Sequence, residues 1–353
     1  MKILIVPDSF KGTLSSQQVC ECIKAGILKS GQNTDITTLP FADGGEGFGN
    51  CLSNFCKADM LYTWCSDIYG RRIKCPVYTY ERTAIIECAS ASGIQKKKDV
   101  MRATSFGTGE LIKFACSKGF DNIILGLGGS GSCDGGAGAL SALGVTFRNI
   151  DGEIIEHPTG ADLEKIFGVG IKNRVKGINF TYACDVTNGF YGKNGAAFVF
   201  AKQKGATDND IIHLDNGLKQ LNAFFPEDVS KVKGAGAAGG LCGGLYSIYG
   251  GNIKSGFDIL SEACNLEKRI AEADIVITGE GKTDKQTLMG KLPYKISRLC
   301  RKYSKKCIVI SGIIDGVKIG DINISLTDEN TSAEEAMKNA EKTLTEKSKF
   351  ILQ

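Results

Sequence analysis

Histidine is nearly absent from this 353-residue chain: His157 and His213 are the only two, and tryptophan occurs once. Two imidazoles far apart in the sequence disfavour a Ser-His-Asp or Cys-His hydrolase, which needs a base beside its nucleophile. The 14 cysteines include no Cys-x-x-Cys pair. Zinc and iron–sulfur centres need clustered ligands, so these thiols read as small buried hydrophobes in a reducing compartment. No apolar stretch approaches the roughly 20 residues that span a bilayer. The opening Met1-Lys2-Ile3-Leu4-Ile5-Val6 stops at Pro7-Asp8, too short for a signal peptide. It reads as the first strand of a cytoplasmic protein with no membrane partner. Long runs of one charge are missing as well. The net charge is +4, and Lys96-Lys97-Lys98 reads as a solvated loop, so nucleic acid is a poor partner.

Proline is scarce, with 6 residues, whereas glycine is abundant, with 45. The glycines form no repeat and no linker. They sit in loops beside apolar runs, where they let backbone N–H groups approach an anion. Apolar runs alternate with helical periods, which predicts an α/β fold. Strands are expected at 2–6, up to about Leu39, and at 122–127, 179–184, 274–278 and 307–311. Ser15 with Gln18, and Ser332 with Glu335, carry capping-box signals. Val19, Ile23 and Ile27 follow the first, and Ala333, Met337, Ala340 and Leu344 follow the second at helical spacing. The middle differs. Val77–Tyr80 and Ala84–Cys88 flank a charged turn as a hairpin would, and Asn149-Ile150-Asp151-Gly152 holds an Asp-Gly turn. Parallel-type units at both ends with antiparallel pairs between them suggest an inserted domain. Its limits fall near 72 and 260, leaving 1–71 plus 261–353 as the host domain.

Six loops could carry chemistry. Pro7-Asp8-Ser9-Phe10-Lys11-Gly12-Thr13 ends the first strand, at the edge where α/β sheets bind ligands. Ser9, Lys11 and Thr13 supply donors there; Asp8 and Lys11 are costly in a mere turn. Asp43-Gly44-Gly45-Glu46 suits a hydrated Mg²⁺ or polyol hydroxyls, and equally a helix N-terminus. Gly126-Leu127-Gly128-Gly129-Ser130-Gly131 matches Gly-x-Gly-x-x-Gly before a helical run expected near Asp134. With Asp151 twenty residues beyond Gly131, it imitates a dinucleotide fingerprint, but a glycine loop before a helix serves the phosphates of ATP as well. Asp185 closes a strand, a good place for a general base or metal ligand. The stretch from Gly234 to Gly244 suits close backbone packing or phosphate equally. Last, Gly279-Glu280-Gly281-Lys282-Thr283-Asp284, with Lys291 beyond, suits Mg²⁺ and polyphosphate. It is not a Walker P-loop, since Lys285 and Leu292 occupy positions that motif reserves for glycine and Ser/Thr.

In this order the loops resemble the class I glycerate kinase family. The resemblance rests on PDSFKGTLS at 7–15, ADGGEG at 42–47, GTGELI at 107–112, GGSGSCDGGAGALSALG at 128–144, ACDVTN at 183–188, GAGAAGGLCGGL at 234–245 and ITGEGKTDKQTLMGK at 277–291. It implies ATP- and Mg²⁺-dependent phosphorylation of glycerate, generally at the 2-hydroxyl. It also implies a flavodoxin-like parallel-sheet domain built from both chain ends, a mixed α/β domain inserted into it, and an active site in the cleft between them. On that footing glycerate would be bound by Asp8, Ser9, Lys11, Asp43 and Glu46. Asp185 and Lys11 would be catalytic, with Asp185 taking the proton of the attacking hydroxyl or holding metal. Gly128, Gly129, Ser130, Gly279, Gly281, Lys282 and Lys291 would hold ATP, and Glu280 and Asp284 would be further metal ligands. Three departures stand out. Ser130-Gly131-Ser132-Cys133-Asp134 replaces the usual Ser-Ala-Thr-Asn-Asp, Gly189-Phe190 replaces a common Pro-Leu, and Lys282 replaces an Arg. Two other functions fit parts of the pattern: an NAD-dependent hydroxy-acid dehydrogenase using Asp151, and a glycerate sensor disabled at Cys133. The oligomeric state is not legible.

Overall fold

A computed structural model of the chain describes residues 1–10, 12–42, 47–328 and 331–352. The strands are β1 (Lys2–Ile5), β2 (Asp35–Thr38), β3 (Asp59–Ser66), β4 (Arg72–Tyr80), β5 (Thr83–Glu87), β6 (Asn122–Gly126), β7 (Thr146–Arg148), β8 (Gly168–Gly170), β9 (Asn179–Ala183), β10 (Asn252–Lys254), β11 (Ile275–Thr283), β12 (Lys306–Ile314) and β13 (Ile322–Ser325). The chain divides into two compact units, Met1–Asp43 with Leu260–Gln353, and Gly44–Ile259. The second limit falls within a residue of the one expected near 260. The first falls well before 71, because β3 pairs antiparallel with β4 from Asp59↔Thr79 to Ser66↔Arg72 and so belongs to the second unit's sheet. Met60, Tyr62 and Trp64 on β3 are exposed, so the strand lacks the apolar alternation that would have announced it.

The first unit is a five-stranded sheet in the order β2-β1-β11-β12-β13, and every pair in it is parallel. This is the doubly wound 2-1-3-4-5 order of flavodoxin-like domains. Burial of consecutive residues in β1 and β11 explains their unbroken apolar runs, since both sheet faces are covered. One face packs Ile3, Ile5, Ile277 and Ile310 against Val19, Ile23 and Ile27 of helix Ser16–Lys29, and against Leu344. That helix starts at the expected box, with Ser15 accepting from the Gln18 N–H and the Gln18 side chain reaching back to the Ser15 N–H. The chain's last helical stretch differs from expectation. It breaks at Asn339 into Ala333–Lys338 and Ala340–Ser348, and the buried face is Ala336, Ala340 and Leu344, with Met337 exposed. Strand β11 runs five residues beyond the expected end at 278, because β12 pairs with it as far as Thr283↔Ile314.

The second unit holds a six-stranded sheet, β10-β9-β6-β5-β4-β3. Strands β10, β9, β6 and β5 run parallel, while β4 and β3 run antiparallel at one edge. The expected hairpin is β4–β5, turning at Glu81, whose φ is +49°. The expected Asp-Gly turn follows β7, where the N–H groups of Asp151 and Glu153 donate to Asn149 Oδ1. The core runs from Val77, Ile86 and Leu125 through Leu140 and Tyr182 to Leu218 and Leu245.

Candidate active site

In the second unit the chemistry begins where β6 ends. Gly128 and Gly129 turn the chain, with Gly129 at φ +73°, a left-handed conformation that glycine adopts freely. The turn is pinned on both sides: the Ile94 N–H donates to Gly129 O at 3.0 Å, and the Gly131 N–H donates to Ser92 O at 2.8 Å. Among the described residues no backbone carbonyl accepts from the N–H groups of Gly128, Gly129 or Ser130. Three successive amide donors left unspent form a concavity suited to an anion. The helix expected near Asp134 instead starts at Ala137 and is six residues long, so its dipole is not part of this cradle.

Beneath the turn lies a group the sequence did not advertise. Lys204 is 3% exposed. Its ammonium donates to Ser130 Oγ at 2.9 Å and to Ser132 O at 2.7 Å. It stands at the end of a segment that passes from π-helix (Ala197–Ala201) to 3-10 helix (Lys202–Lys204) before Gly205 reverses it at φ +96°. The change of pitch turns Lys204 inward between the exposed Lys202, Gln203 and Gly205. A lysine in the string Lys-Gln-Lys reads as solvated from sequence alone.

Asp134 is the second unadvertised group. Its carboxylate is fully buried and accepts from Ser105 N–H (2.6 Å), Ser105 Oγ (2.8 Å), Gly136 N–H (3.1 Å), Gly138 N–H (3.3 Å) and Thr104 Oγ1 (3.4 Å). It fixes the chain that leaves the glycine turn. Cys133 beside it is also fully buried, and burial pushes its thiol up to about 12. The departure from the family's Asn therefore lies in the core under the turn. The glycine-rich stretch 234–244 is explained by packing. A Cβ at Gly239 would lie 2.1 Å from Ser132 O, one at Gly244 2.1 Å from Gly135 O, and one at Gly243 2.5 Å from the Phe190 ring.

Asp185 is exposed just past the end of β9, and its carboxylate accepts from the Gly256 N–H at 3.1 Å. Strands β6 and β9 are neighbours in register, Gly126↔Ala183, so Asp185 and the glycine turn leave the same sheet edge.

In the first unit the site residues gather on β11. Asp8 donates its N–H to Gly279 O at 2.9 Å, and its Oδ1 accepts from the Ser9 N–H at 2.7 Å. Lys11, Asp43 and Glu46 lie outside the described residues. Gly279 and Gly281 sit inside paired β11 rather than in a loop; a Cβ at Gly279 would lie 2.0 Å from Ile310 O. Close strand packing accounts for that glycine. Glu280 is buried, with Oε1 accepting from Thr287 Oγ1 at 2.6 Å and Thr283 Oγ1 at 3.2 Å, and Oε2 3.5 Å from Lys291 Nζ. Burial raises its pKa against the lowering effect of these partners. Asp284 lies 4.0 Å from Lys291 Nζ and 3.8 Å from Lys282 Nζ, and Lys282 pairs with Asp315 at 2.9 Å. That pairing, chiefly its hydrogen bond, raises the pKa of the exposed Lys282.

Two ammonium groups already beside Glu280 and Asp284 suit an anion better than a bare divalent cation. Among the described residues no three His, Cys, Asp or Glu side chains converge as a metal site. A Mg²⁺ that keeps its waters and takes phosphate oxygens needs only one or two protein carboxylates, and Asp185 meets that requirement. The dinucleotide alternative loses its acidic partner: Asp151 is in an exposed turn after β7, and β7 pairs with β8 in a separate two-stranded ribbon.

A doubly wound sheet with a glycine turn at a strand end is an arrangement that receives phosphate-bearing ligands. The sequence model of the glycerate kinase family matches residues 3–353. A glycerate kinase of Bacillus cereus is 37% identical over 98% of this chain and 95% of its own length. The glycerate 2-kinase of Escherichia coli is 38% identical over 88% of this chain and 85% of its own. A crystal structure described as a glycerate kinase 2 from Salmonella typhimurium LT2 superposes with a TM-score of 0.86 at 35% identity, covering 99% of this chain and 96% of that one. The chain belongs to the glycerate kinase family. No helix among the described residues is long and apolar enough to cross a membrane.

Proposed function

We propose that the protein transfers the γ-phosphoryl group of ATP to D-glycerate in the cytoplasm, giving 2-phosphoglycerate. Family membership over nearly the whole chain carries the reaction class. The unspent amides of Gly128, Gly129 and Ser130 carry the assignment of a phosphate cradle. Phosphoryl transfer asks a protein mainly to position anions in line and to neutralise developing charge. The turn donates three N–H groups to phosphate oxygens; Lys282 and Lys291 supply positive charge for the rest of the polyphosphate. Asp8 and Ser9, together with Lys11, Asp43 and Glu46, receive glycerate through its carboxylate and hydroxyls. Asp185 accepts the proton of the attacking 2-hydroxyl, and Lys11 offsets charge on the reacting groups.

If Asp185 held Mg²⁺ instead of taking the proton, the ion would neutralise charge on the phosphates. Glu280, expected from the resemblance as a metal ligand, serves better as the anchor of Lys291. Nothing in the structure favours a dehydrogenase. A mere sensor is disfavoured, because Cys133 is buried away from the face of the turn.

Purified protein incubated with D-glycerate, ATP and Mg²⁺, followed by ³¹P NMR, tests this directly. ADP with a 2-phosphoglycerate resonance is expected. Bound glycerate with no phosphoryl transfer would overturn the kinase reading, and a 3-phosphoglycerate resonance would overturn the choice of hydroxyl.

A further inference from the structure

A lysine buried with no carboxylate partner is expensive, because desolvating an ammonium is repaid only by close counter-charge. Lys204 is such a residue. Among the described residues it forms no ion pair, and its hydrogen bonds go to Ser130 Oγ and Ser132 O. A methionine would fill the same space without the penalty. The buried ammonium is therefore retained for what it does to the turn above it.

An ammonium carries three donors and no acceptor. Ser130 Oγ must accept from it, which commits one lone pair and leaves the Ser130 hydroxyl proton to be donated elsewhere. The second bond, to Ser132 O, holds the chain just past the turn, where the Gly131 N–H is already tied to Ser92 O. Ser130 is 9% exposed, so it is the one side chain of the turn poised between the buried lysine and the face of the open amides. Ser132 Oγ, 1% exposed, has no hydrogen-bond partner, so the neighbouring hydroxyl does not compensate.

We propose that Lys204 is the positioning residue of the phosphate cradle: it fixes Ser130 as an outward hydrogen-bond donor and places a buried positive charge under the three open amides. This rests on the assignment of the turn to the phosphates of ATP. It adds a fourth donor and a buried charge to the cradle, and neither would be found from the glycine pattern. Burial lowers the pKa of Lys204, opposed by the nearby thiols of Cys133 and Cys88 and by the Asp134 carboxylate. An anion on the turn would favour the charged form.

The test compares wild-type protein with K204M, S130A and the double variant. Melting temperature, calorimetric binding of ATP and of D-glycerate, and steady-state kinetics are read for each. A structural filler and a positioning charge predict opposite patterns. Loss of an unpaired buried ammonium leaves K204M as stable as wild type or more so, while its Kd for ATP rises about tenfold, the worth of one charge-assisted hydrogen bond. D-Glycerate binding stays within about twofold. S130A shows a comparable loss for ATP, and the double variant is little weaker than either single one, because both act through one bond. A folded K204M that binds ATP as wild type does, or that loses glycerate affinity instead, overturns the proposal. If K204M does not fold, S130A decides, since wild-type ATP affinity in that variant is equally fatal. Wild-type protein that binds ATP yet forms no phosphoglycerate would sink the functional reading alone, and the ATP-binding comparison would still judge Lys204.

Discussion

Thr287 donates its hydroxyl to Glu280 Oε1 at 2.6 Å, and the other oxygen of that carboxylate stands 3.5 Å from Lys291 Nζ. A strand residue, a 3-10 turn and the residue that caps helix Leu292–Lys302 are thus joined through one buried carboxylate. Glu280 holds Lys291 in place and is not itself free to be a ligand.

The E280Q variant separates these roles. A raised native pKa means that the folded state holds its proton at a pH where the unfolded chain has released it. Glu280 therefore favours the folded state most in acid, and that contribution is lost as pH rises from the ordinary glutamate value through the raised one. E280Q cannot titrate. Urea unfolding of wild type across pH 4–8 should show a decline that E280Q lacks. The KM of E280Q for ATP should rise about tenfold through a loosened Lys291. Parallel pH–stability curves for the two proteins would refute the assignment.

Asp185 should be needed for turnover and not for nucleotide binding. D185N is expected to bind ATP within a few-fold of wild type while kcat falls about 10²–10⁴-fold, the usual worth of a positioned general base. Near-normal kcat in stopped ADP-release assays would remove Asp185 from the mechanism.

Asp134 should be a stability residue. D134A leaves the donors of Ser105, Gly136 and Gly138 buried without an acceptor, at about 1–3 kcal/mol each before relaxation. A loss of about 3–5 kcal/mol in urea unfolding is expected. Loss below 1 kcal/mol would mean that the loop finds other acceptors.

Two glycines with similar backbone angles should respond differently to alanine. Among the described residues nothing lies within 4 Å of a Cβ at Gly12, at φ +81°, whereas a Cβ at Gly239, at φ +69°, would meet Ser132 O at 2.1 Å. G12A should cost about 1 kcal/mol from backbone strain alone. G239A should cost clearly more and should also weaken ATP binding, because Ser132 O is a Lys204 acceptor. Equal melting temperatures would show that the 239 region yields freely.

The thiols should sort by burial. Cys22, Cys56 and Cys116 are the partly exposed ones among the 14, and Cys88 and Cys133 are pushed up to about 12 by burial. Titration of native protein with Ellman's reagent should modify no more than about three thiols quickly and all of them in denaturant. Fast modification of Cys133 would place it at the surface.

Much of this was readable in the residues. Apolar runs located β1, β6, β9 and β12 because buried parallel strands need hydrophobic residues on both faces. The Ser15–Gln18 box located a helix start because it satisfies amides locally. Strand β3 was missed because Tyr62 and Trp64 face outward, and burial is what periodicity reports. The glycine-rich loops were visible, but their reasons were not. Glycine at 128–129 leaves amides open, whereas glycine at 239, 244 and 279 gives way to a neighbouring backbone; the two look alike in sequence. Lys204 was invisible because a lysine beside Lys202 and Gln203 looks solvated, and only a change of helical pitch turns it inward.

The first unit's sheet has a consequence for the order in which the protein acquires structure. Its strand β1 meets the central strand β11 through Ile3↔Ile275, and Thr278 Oγ1 donates to Val6 O across 272 positions of chain. At about 5–20 residues per second of synthesis, β1 leaves the ribosome roughly 15–50 s before its partner exists. The second unit, whose six-stranded sheet spans 59–254, is synthesised in that interval. The β1–β11 pairing of the host sheet therefore closes last, across a long loop whose entropy of closure grows only slowly with its length.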